Sequence, residues 1–393
     1  MCESICPSNN TTRGRIDVGW VHNEISMDGS MNMNPNPEEL PVLRVEKLRK
    51  TFGSTVAVNG VSFEVKPGEI LAILGPSGCG KTTTLRMIAG LEEPNSGEIL
   101  VNGKSVLSLS PHRRNIGLVF QDLAIFPHKS VFENVAFGLR MKRVKGEELR
   151  RRVHEILVLV ELLPEEFAGR SPATLSGGQL QRVALARTLV MQPSLVLFDE
   201  PMVSLDRRLR DRMVVEVRQI QKRLGLPAIY VTHDQESASF FSDRVAVMEA
   251  GQIVQTGTPL EIYRYPRSQF VANFIGDTNF FPGTVVVSDK TATKVELFGE
   301  GVTLGPEEVK PGEKVTLAIR PEDTRLSHQR NELSIVKGKL RVWNFNAGMF
   351  HYRVALEDGR EVVVRSPSKE YTEFLERQVW LEASRELIRI FRD

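Results

Sequence analysis

The sequence predicts an α/β domain with a largely parallel central sheet, followed by a small all-β barrel. Two observations carry this. Buried apolar runs of strand length alternate with helical periods as far as about residue 278, and after Asn279 the helical periods give way to short alternating stretches. The chain of 393 residues is long enough for two ordinary domains. With 41% hydrophobic and 25% charged residues, global disorder and fibrous architectures are excluded.

Residues 1–40 stand apart from the rest. Arg13 and Arg15 face Glu3, Asp17, Glu24, Asp28, Glu38 and Glu39, two basic against six acidic groups, a net of −4. Asn, Ser, Thr and Met dominate without an apolar period, so a disordered tail is expected. Cys2 and Cys6 could be half of a metal site, but Cys79 is the third and last cysteine, so no second pair completes one.

From Val42 the pattern becomes structured. Alternation in Leu43-Arg44-Val45-Glu46 and Val61-Ser62-Phe63-Glu64-Val65 predicts half-buried strands. Ile70-Leu71-Ala72-Ile73-Leu74 predicts a fully buried strand, closed by a glycine-rich loop. A helix is expected through Thr83-Thr84-Leu85-Arg86-Met87-Ile88-Ala89, stopped by Gly90. Leu149, Val153, Ile156, Leu157, Val160 and Leu163 share one face at helical spacing over 146–163. Leu195-Val196-Leu197-Phe198 and Ala228-Ile229-Tyr230-Val231 predict two more buried strands with a helix between them. In the last part, residues 284–287, 314–319 and 352–356 alternate between Asp-Gly and Pro-Gly turns, as a barrel would. The expected domains are therefore 1–40 (tail), 41–278 and 279–393.

Three motifs carry chemistry. Gly75-Pro76-Ser77-Gly78-Cys79-Gly80-Lys81-Thr82, with Thr83 beside it, fits a phosphate-binding P-loop, strand before it and helix after it. Its glycines let backbone N–H groups converge on phosphate, Lys81 reaches the β and γ phosphates, and the Thr82 hydroxyl ligates Mg²⁺. The buried strand that ends in Asp199-Glu200 offers Asp199 to the Mg²⁺ shell and Glu200 as general base toward the attacking water. Between them, Leu175-Ser176-Gly177-Gly178-Gln179 opens a helix that Ser176 can cap. Cys79 sits at a helix N-terminus, where a thiolate is favoured, although a small side chain filling a tight loop is the plainer account.

In this order the motifs resemble those of the ATP-binding cassette (ABC) transporter ATPases, over residue 43 to about 278. The resemblance implies a P-loop NTPase fold with a helical subdomain. It also implies that Ser176, Gly177, Gly178 and Gln179 complete the ATP site of a second subunit, so that the working unit is a homodimer. Gln121, in Val119-Phe120-Gln121-Asp122, matches the residue that senses Mg²⁺ and water and links hydrolysis to the membrane partner. His233 matches the switch histidine at the γ-phosphate, and Phe52 lies where the family stacks an aromatic on adenine. Val203 departs from the usual small hydroxyl residue after the general base, which puts tight coupling across the dimer in question.

Gly257-Thr258-Pro259, Ile262-Tyr263, Phe270-Val271-Ala272-Asn273-Phe274-Ile275-Gly276 and Ile319-Arg320-Pro321-Glu322-Asp323 resemble importers for sugars, polyamines, ferric iron and sulfate. Their ATPases carry an OB-like β-barrel used for regulation or dimer contacts. That implies integral-membrane permease subunits, an extracytoplasmic substrate-binding protein as indirect partner, and a peripheral position on the cytoplasmic face of the membrane. Phe126-Pro127-His128 is expected near the permease's coupling helix. Polyamine or ferric iron leads as substrate, with sugar next.

Other readings have less support. A non-transport ABC ATPase of translation or DNA repair usually has two cassettes or a long coiled coil, and this chain has one P-loop and no sustained heptads. A nucleic-acid-binding barrel would need a dense basic cluster among aromatics such as Trp343, Phe345, Phe350 and Tyr352, and the net charge is only +2. No nucleic-acid partner is expected. No apolar run reaches the roughly 18 residues of a membrane span, no secretory pattern opens the chain, and three cysteines suit a reducing compartment.

Deleting residues 1–40 is expected to leave the melting temperature and ATPase activity essentially unchanged, because no core-forming pattern exists there. A clear drop in melting temperature would show a docked segment.

Overall fold

The computed structural model describes residues 40–202 and 206–392. The expected disordered tail, apart from Leu40, and Val203 both lie outside the described residues. The chain falls into two compact units, one ending at Ile253 and the other starting at Val254. The expected boundary at 278/279 lies inside the second of these.

The first unit opens with β1 (Leu43–Phe52) and β2 (Thr55–Val65), an antiparallel pair whose burial alternates as the sequence predicts. β3 (Ile70–Leu74) is fully buried, and α1 (Lys81–Ala89) follows, ended by Gly90 in the left-handed conformation at φ 80°. β4 (Ser96–Val101) and β5 (Lys104–Ser105) extend the first pair into a four-stranded antiparallel sheet, β2-β1-β4-β5.

β6 (Ile116–Val119) then leads to the helical layer: α2 (Val131–Met141), α3 (Gly146–Leu159), α4 (Pro164–Phe167) and α5 (Gly177–Leu189). β7 (Leu195–Asp199), α6 (Arg207–Leu224), β8 (Ala228–Thr232), α7 (Gln235–Phe241) and β9 (Arg244–Glu249) complete the parallel part of a six-stranded sheet, in the order β9-β3-β8-β7-β6. β10 (Gln252–Gly257) contains the division between the units.

The parallel sheet is apolar on both faces, as its unbroken hydrophobic runs require. Leu195, Leu197, Ile229 and Val231 point into one core with Leu85, Met87 and Ile88 of α1 and the antiparallel sheet. Val196, Phe198, Ala228 and Tyr230 point into the other, with α2, α3, α5 and α6. Burying each large apolar side chain contributes about 1.5–3 kcal/mol. One expected core position fails: Leu163 is 57% exposed, because α3 stops at Leu159 and Leu163 becomes the N-cap of α4.

The second unit begins with α8 (Pro259–Arg264), opened by a Thr258–Glu261 capping box, and α9 (Gln269–Ile275). β11 (Asn279–Ser288), β12 (Thr293–Leu297), β13 (Glu300–Leu304) and β14 (Lys314–Ile319) follow, then β15 (Arg325–Ser327), β16 (Ser334–Asn346), β17 (Met349–Leu356), β18 (Glu361–Ser366), β19 (Gln378–Glu382) and β20 (Arg389–Arg392). They form two five-stranded antiparallel sheets, β13-β12-β11-β14-β20 and β15-β19-β16-β17-β18, around one shared core. This all-β content is consistent with the expected OB-like domain. A bulge between Val285 and Val287 breaks the alternation, so Val287 is 47% exposed.

Arg320 joins the helical and β parts of this unit. Its buried guanidinium donates from Nη1 to the carbonyls of Ala272 (2.7 Å) and Gly276 (2.8 Å) and from Nη2 to that of Tyr263 (2.9 Å). It also lies 4.2 Å from the centre of the Tyr263 ring. Burial lowers its pKa to about 10, so it stays protonated at neutral pH. Replacing Arg320 with Met leaves those carbonyls unmet and should cost the second unit about 3 kcal/mol. Lysine should not rescue, because a point charge cannot reproduce the fork. Trp343 and Trp380 both lie in this unit, so denaturation followed by their fluorescence measures the loss.

Candidate nucleotide site

Parallel registry sets the site. Leu74 of β3 stands opposite Thr232 of β8, and Val231 stands opposite Asp199 of β7. The residues that follow, the glycine loop, His233 and Glu200, therefore leave one edge of the sheet at one level, where open α/β sheets carry their ligands. Val119 of β6 pairs with Phe198, which brings Gln121 out at the same edge, exposed in a turn.

The loop from Gly75 to Gly80 is pressed against its neighbours. A Cβ on Gly75 would lie 2.3 Å from the Met248 carbonyl oxygen and 2.5 Å from Cys79 Sγ. Gly80 has φ +105°, and a Cβ there would lie 2.2 Å from the Ala57 carbonyl oxygen. Gly251 N donates to the Cys79 carbonyl at 3.0 Å, pinning the loop from outside. Pro76, Ser77 and Gly78 remain exposed.

Gly80 caps α1 with no side-chain bond, and the first turn, Lys81, Thr82 and Thr83, has no acidic residue. The helix's leading N–H groups and its positive dipole end are therefore available to an anion. Lys81 is buried, and its ammonium donates to the carbonyls of Gly75 (2.7 Å) and Pro76 (2.9 Å). This cradle fits a nucleotide's phosphates.

Thr82 Oγ1 donates to Asp199 Oδ1 at 3.3 Å. Burial raises the Asp199 pKa; the Thr82 bond and the charges of Arg86 and Lys81 oppose this, while Glu200 adds to it. A hard oxygen pair with a destabilised carboxylate fits one side of a Mg²⁺ shell completed by phosphate oxygens and water. No cluster of three or more acidic, His or Cys side chains suited to a metal occurs among the described residues.

Glu200 follows Asp199 in the left-handed conformation, φ +47°, uncommon for a residue with a side chain. Its N–H still donates to the Val231 carbonyl at 3.1 Å, and its Oε2 lies 2.9 Å from His233 Nδ1. His233 is held by its neighbour. Asp234 caps α7 through the N–H groups of Glu236 and Ser237, and accepts from Ser237 Oγ (2.6 Å) and Arg210 Nη1 (3.0 Å). Burial works against the Asp234 charge, but the bonds from Ser237 and Arg210 outweigh it and keep the carboxyl below its ordinary pKa.

The remaining expected residues lie elsewhere. Phe52 ends β1, half exposed, with Lys50 Nζ 5.0 Å from its ring centre. Ser176 and Gln179 form a reciprocal capping box at the start of α5, Gly177 is exposed, and α5 packs against α2, α3 and β6 in the helical layer. Cys79 is buried in the loop, and that burial raises its thiol pKa despite the nearby Lys81, so the thiolate is disfavoured. Three groups escaped the sequence reading. The Met248 and Ala57 carbonyls carry no side-chain signal, while Asp234 was visible beside His233 as an N-cap type before a helix.

The ABC transporter family profile matches residues 58–203. The chain is 43% identical to the spermidine/putrescine import ATP-binding protein PotA of Trichodesmium erythraeum (strain IMS101), over 88% of this chain and 92% of the relative. It belongs to the ABC transporter ATPases. A second PotA, from Acidothermus cellulolyticus, is 46% identical over 74% of this chain and 77% of its own length. The solved structure of cbiO1 from Clostridium perfringens, part of the ABC transporter complex cbiONQ, superposes with a TM-score of 0.53 at 33% identity, covering 57% of this chain and 91% of that one. As an ABC transporter ATPase the chain binds ATP and hydrolyses it to drive transport. No helix among the described residues is long and apolar enough to cross a membrane.

The raised Asp199 pKa means that, without nucleotide, ionised Asp199 destabilises the fold. Its favourable contribution is complete below the ordinary carboxylate range and is lost as pH rises through the raised value. Asp199→Asn should therefore melt a few degrees higher than wild type at neutral pH without Mg²⁺ or ATP. The gap should close as pH falls below about 4. A variant that melts lower at neutral pH would contradict this.

Proposed function

We propose that this chain powers a polyamine importer as its ATP-hydrolysing subunit, working as a homodimer on the cytoplasmic face of the membrane. The observation that carries the chemistry is the convergence of Lys81, Thr82, Asp199, Glu200 and His233 at one sheet edge. The polyamine assignment is supported by relatives whose names specify spermidine/putrescine import and which this chain matches over most of their length. The names of these relatives specify neither ferric iron nor sugar.

In this reading, residues 75–80 and the first turn of α1, with Lys81, Thr82 and Thr83, hold the phosphates, and Phe52 receives the adenine. Thr82, Asp199 and Gln121 would hold Mg²⁺, which supplies charge neutralisation when bound. Glu200 takes the proton of the attacking water, and His233, fixed by its bond to Glu200, orients that carboxylate and faces the γ-phosphate. Ser176, Gly177, Gly178 and Gln179 serve the nucleotide of the other subunit, so each dimer encloses two ATP molecules related by a two-fold axis. Permease subunits receive the motion, and an extracytoplasmic binding protein delivers substrate to them. The Phe126 ring, 4.8 Å from Phe137 and under the Arg187 guanidinium, supports a docking surface there.

The test is spermidine uptake into vesicles containing the assembled transporter. Wild type should import spermidine with ATP turnover. Glu200→Gln should bind Mg-ATP yet turn over at least ~100-fold more slowly and import nothing. Near-wild-type turnover would remove Glu200 from its role, and turnover insensitive to spermidine would remove the polyamine assignment.

A further inference from the structure

Pro201 directly follows Glu200, the residue held at φ +47°. Its carbonyl oxygen accepts a 2.6 Å hydrogen bond from Gln181 Nε2. Gln181 lies on α5, one turn beyond the Ser176 capping box, and is only 5% exposed. A carbonyl can be met only by the amide's donor end, so the side chain's orientation is set by that one bond. Its own Oε1 has no hydrogen-bond partner among the described residues, an expense a buried amide rarely carries. Leucine or methionine would fill similar space without that cost, yet could not hold the Pro201 carbonyl. Gly178 reinforces the contact between α5 and the start of α6: a Cβ there would lie 3.2 Å from Leu209 Cδ1.

The geometry points to Gln181 as a positioning residue for Glu200, one that holds the Pro201 carbonyl and so keeps the Glu200 backbone in its left-handed turn and its carboxylate beside His233. The inference rests on the reading of Glu200 as general base. It adds that the helix carrying Ser176–Gln179 is bonded, within the same chain, to the residue following that base.

The test uses the purified full chain, with Gln181→Met and Gln181→Glu each made in wild type and in Glu200→Gln. Gln181→Met should lower kcat about 10-fold or more, since small misplacements of reacting groups cost that much. Its affinity for Mg-ATP and its KM should stay within twofold of wild type. In the Glu200→Gln background, single-turnover rates should show no further loss, because Gln181 acts through the residue already disabled. Gln181→Glu keeps the shape but cannot donate when ionised. Its kcat, relative to wild type, should recover as the pH is lowered and the carboxyl takes up a proton to donate. Wild-type kcat in Gln181→Met, with Glu200→Gln inactive, overturns the inference and leaves the role of Glu200 standing. An additive loss in the double variant also overturns it. Full turnover in Glu200→Gln instead fails the underlying reading. Should Gln181→Met not fold, the pH recovery of Gln181→Glu decides.

Discussion

Strand β8 pairs in parallel with β3 on one side and β7 on the other, and the level at which the site's groups emerge follows from that register. A slip of one residue would turn Asp199 to the opposite face and carry Thr232 and His233 away from the glycine loop. The register is protected because the strands are buried on both faces. Such a one-residue slip would exchange Leu197 with Phe198 or Ile229 with Tyr230 between two cores of different shape. The chemistry of the edge is thus held by packing several residues away from it.

The edge itself is costly to the fold. Asp199 is buried with its charge disfavoured, Glu200 adopts a strained backbone, and Gly75 and Gly80 press against neighbouring carbonyl oxygens. Such features persist only where the surrounding structure over-determines them. Here the surroundings are identifiable: Met248 and Ala57 wall the loop, Gly251 pins it, and Asp234 holds the segment carrying His233.

Much of this was legible in the sequence. Runs such as Ile70–Leu74 and the spaced glycines ending at Lys81 declare strand, loop and helix because each uses a local rule, namely burial period or backbone freedom. Asp199 and Glu200 were legible because a buried strand that ends in two acids is chemically unusual. What escaped depends on contacts between distant residues. The bulge at Val287 arises from the register of β11 against β12, and the exposure of Leu163 from where α3 ends. The rise of the Cys79 pKa reflects how deeply the loop sits, which outweighs a helix terminus and a nearby lysine. Gln181 gave no signal, since a glutamine within a helix is ordinary until its partner is known.

Arg320 shows what a single guanidinium demands of a chain's history. Its acceptors at Tyr263, Ala272 and Gly276 lie on the helical segment, and the arginine itself follows β14, more than forty residues later. Recombination between related genes with a crossover between these two stretches would join an arginine to carbonyls shaped for another partner. Viable crossovers should therefore avoid the stretch from residue 263 to residue 320, so that the helices and strand β14 are inherited as one piece.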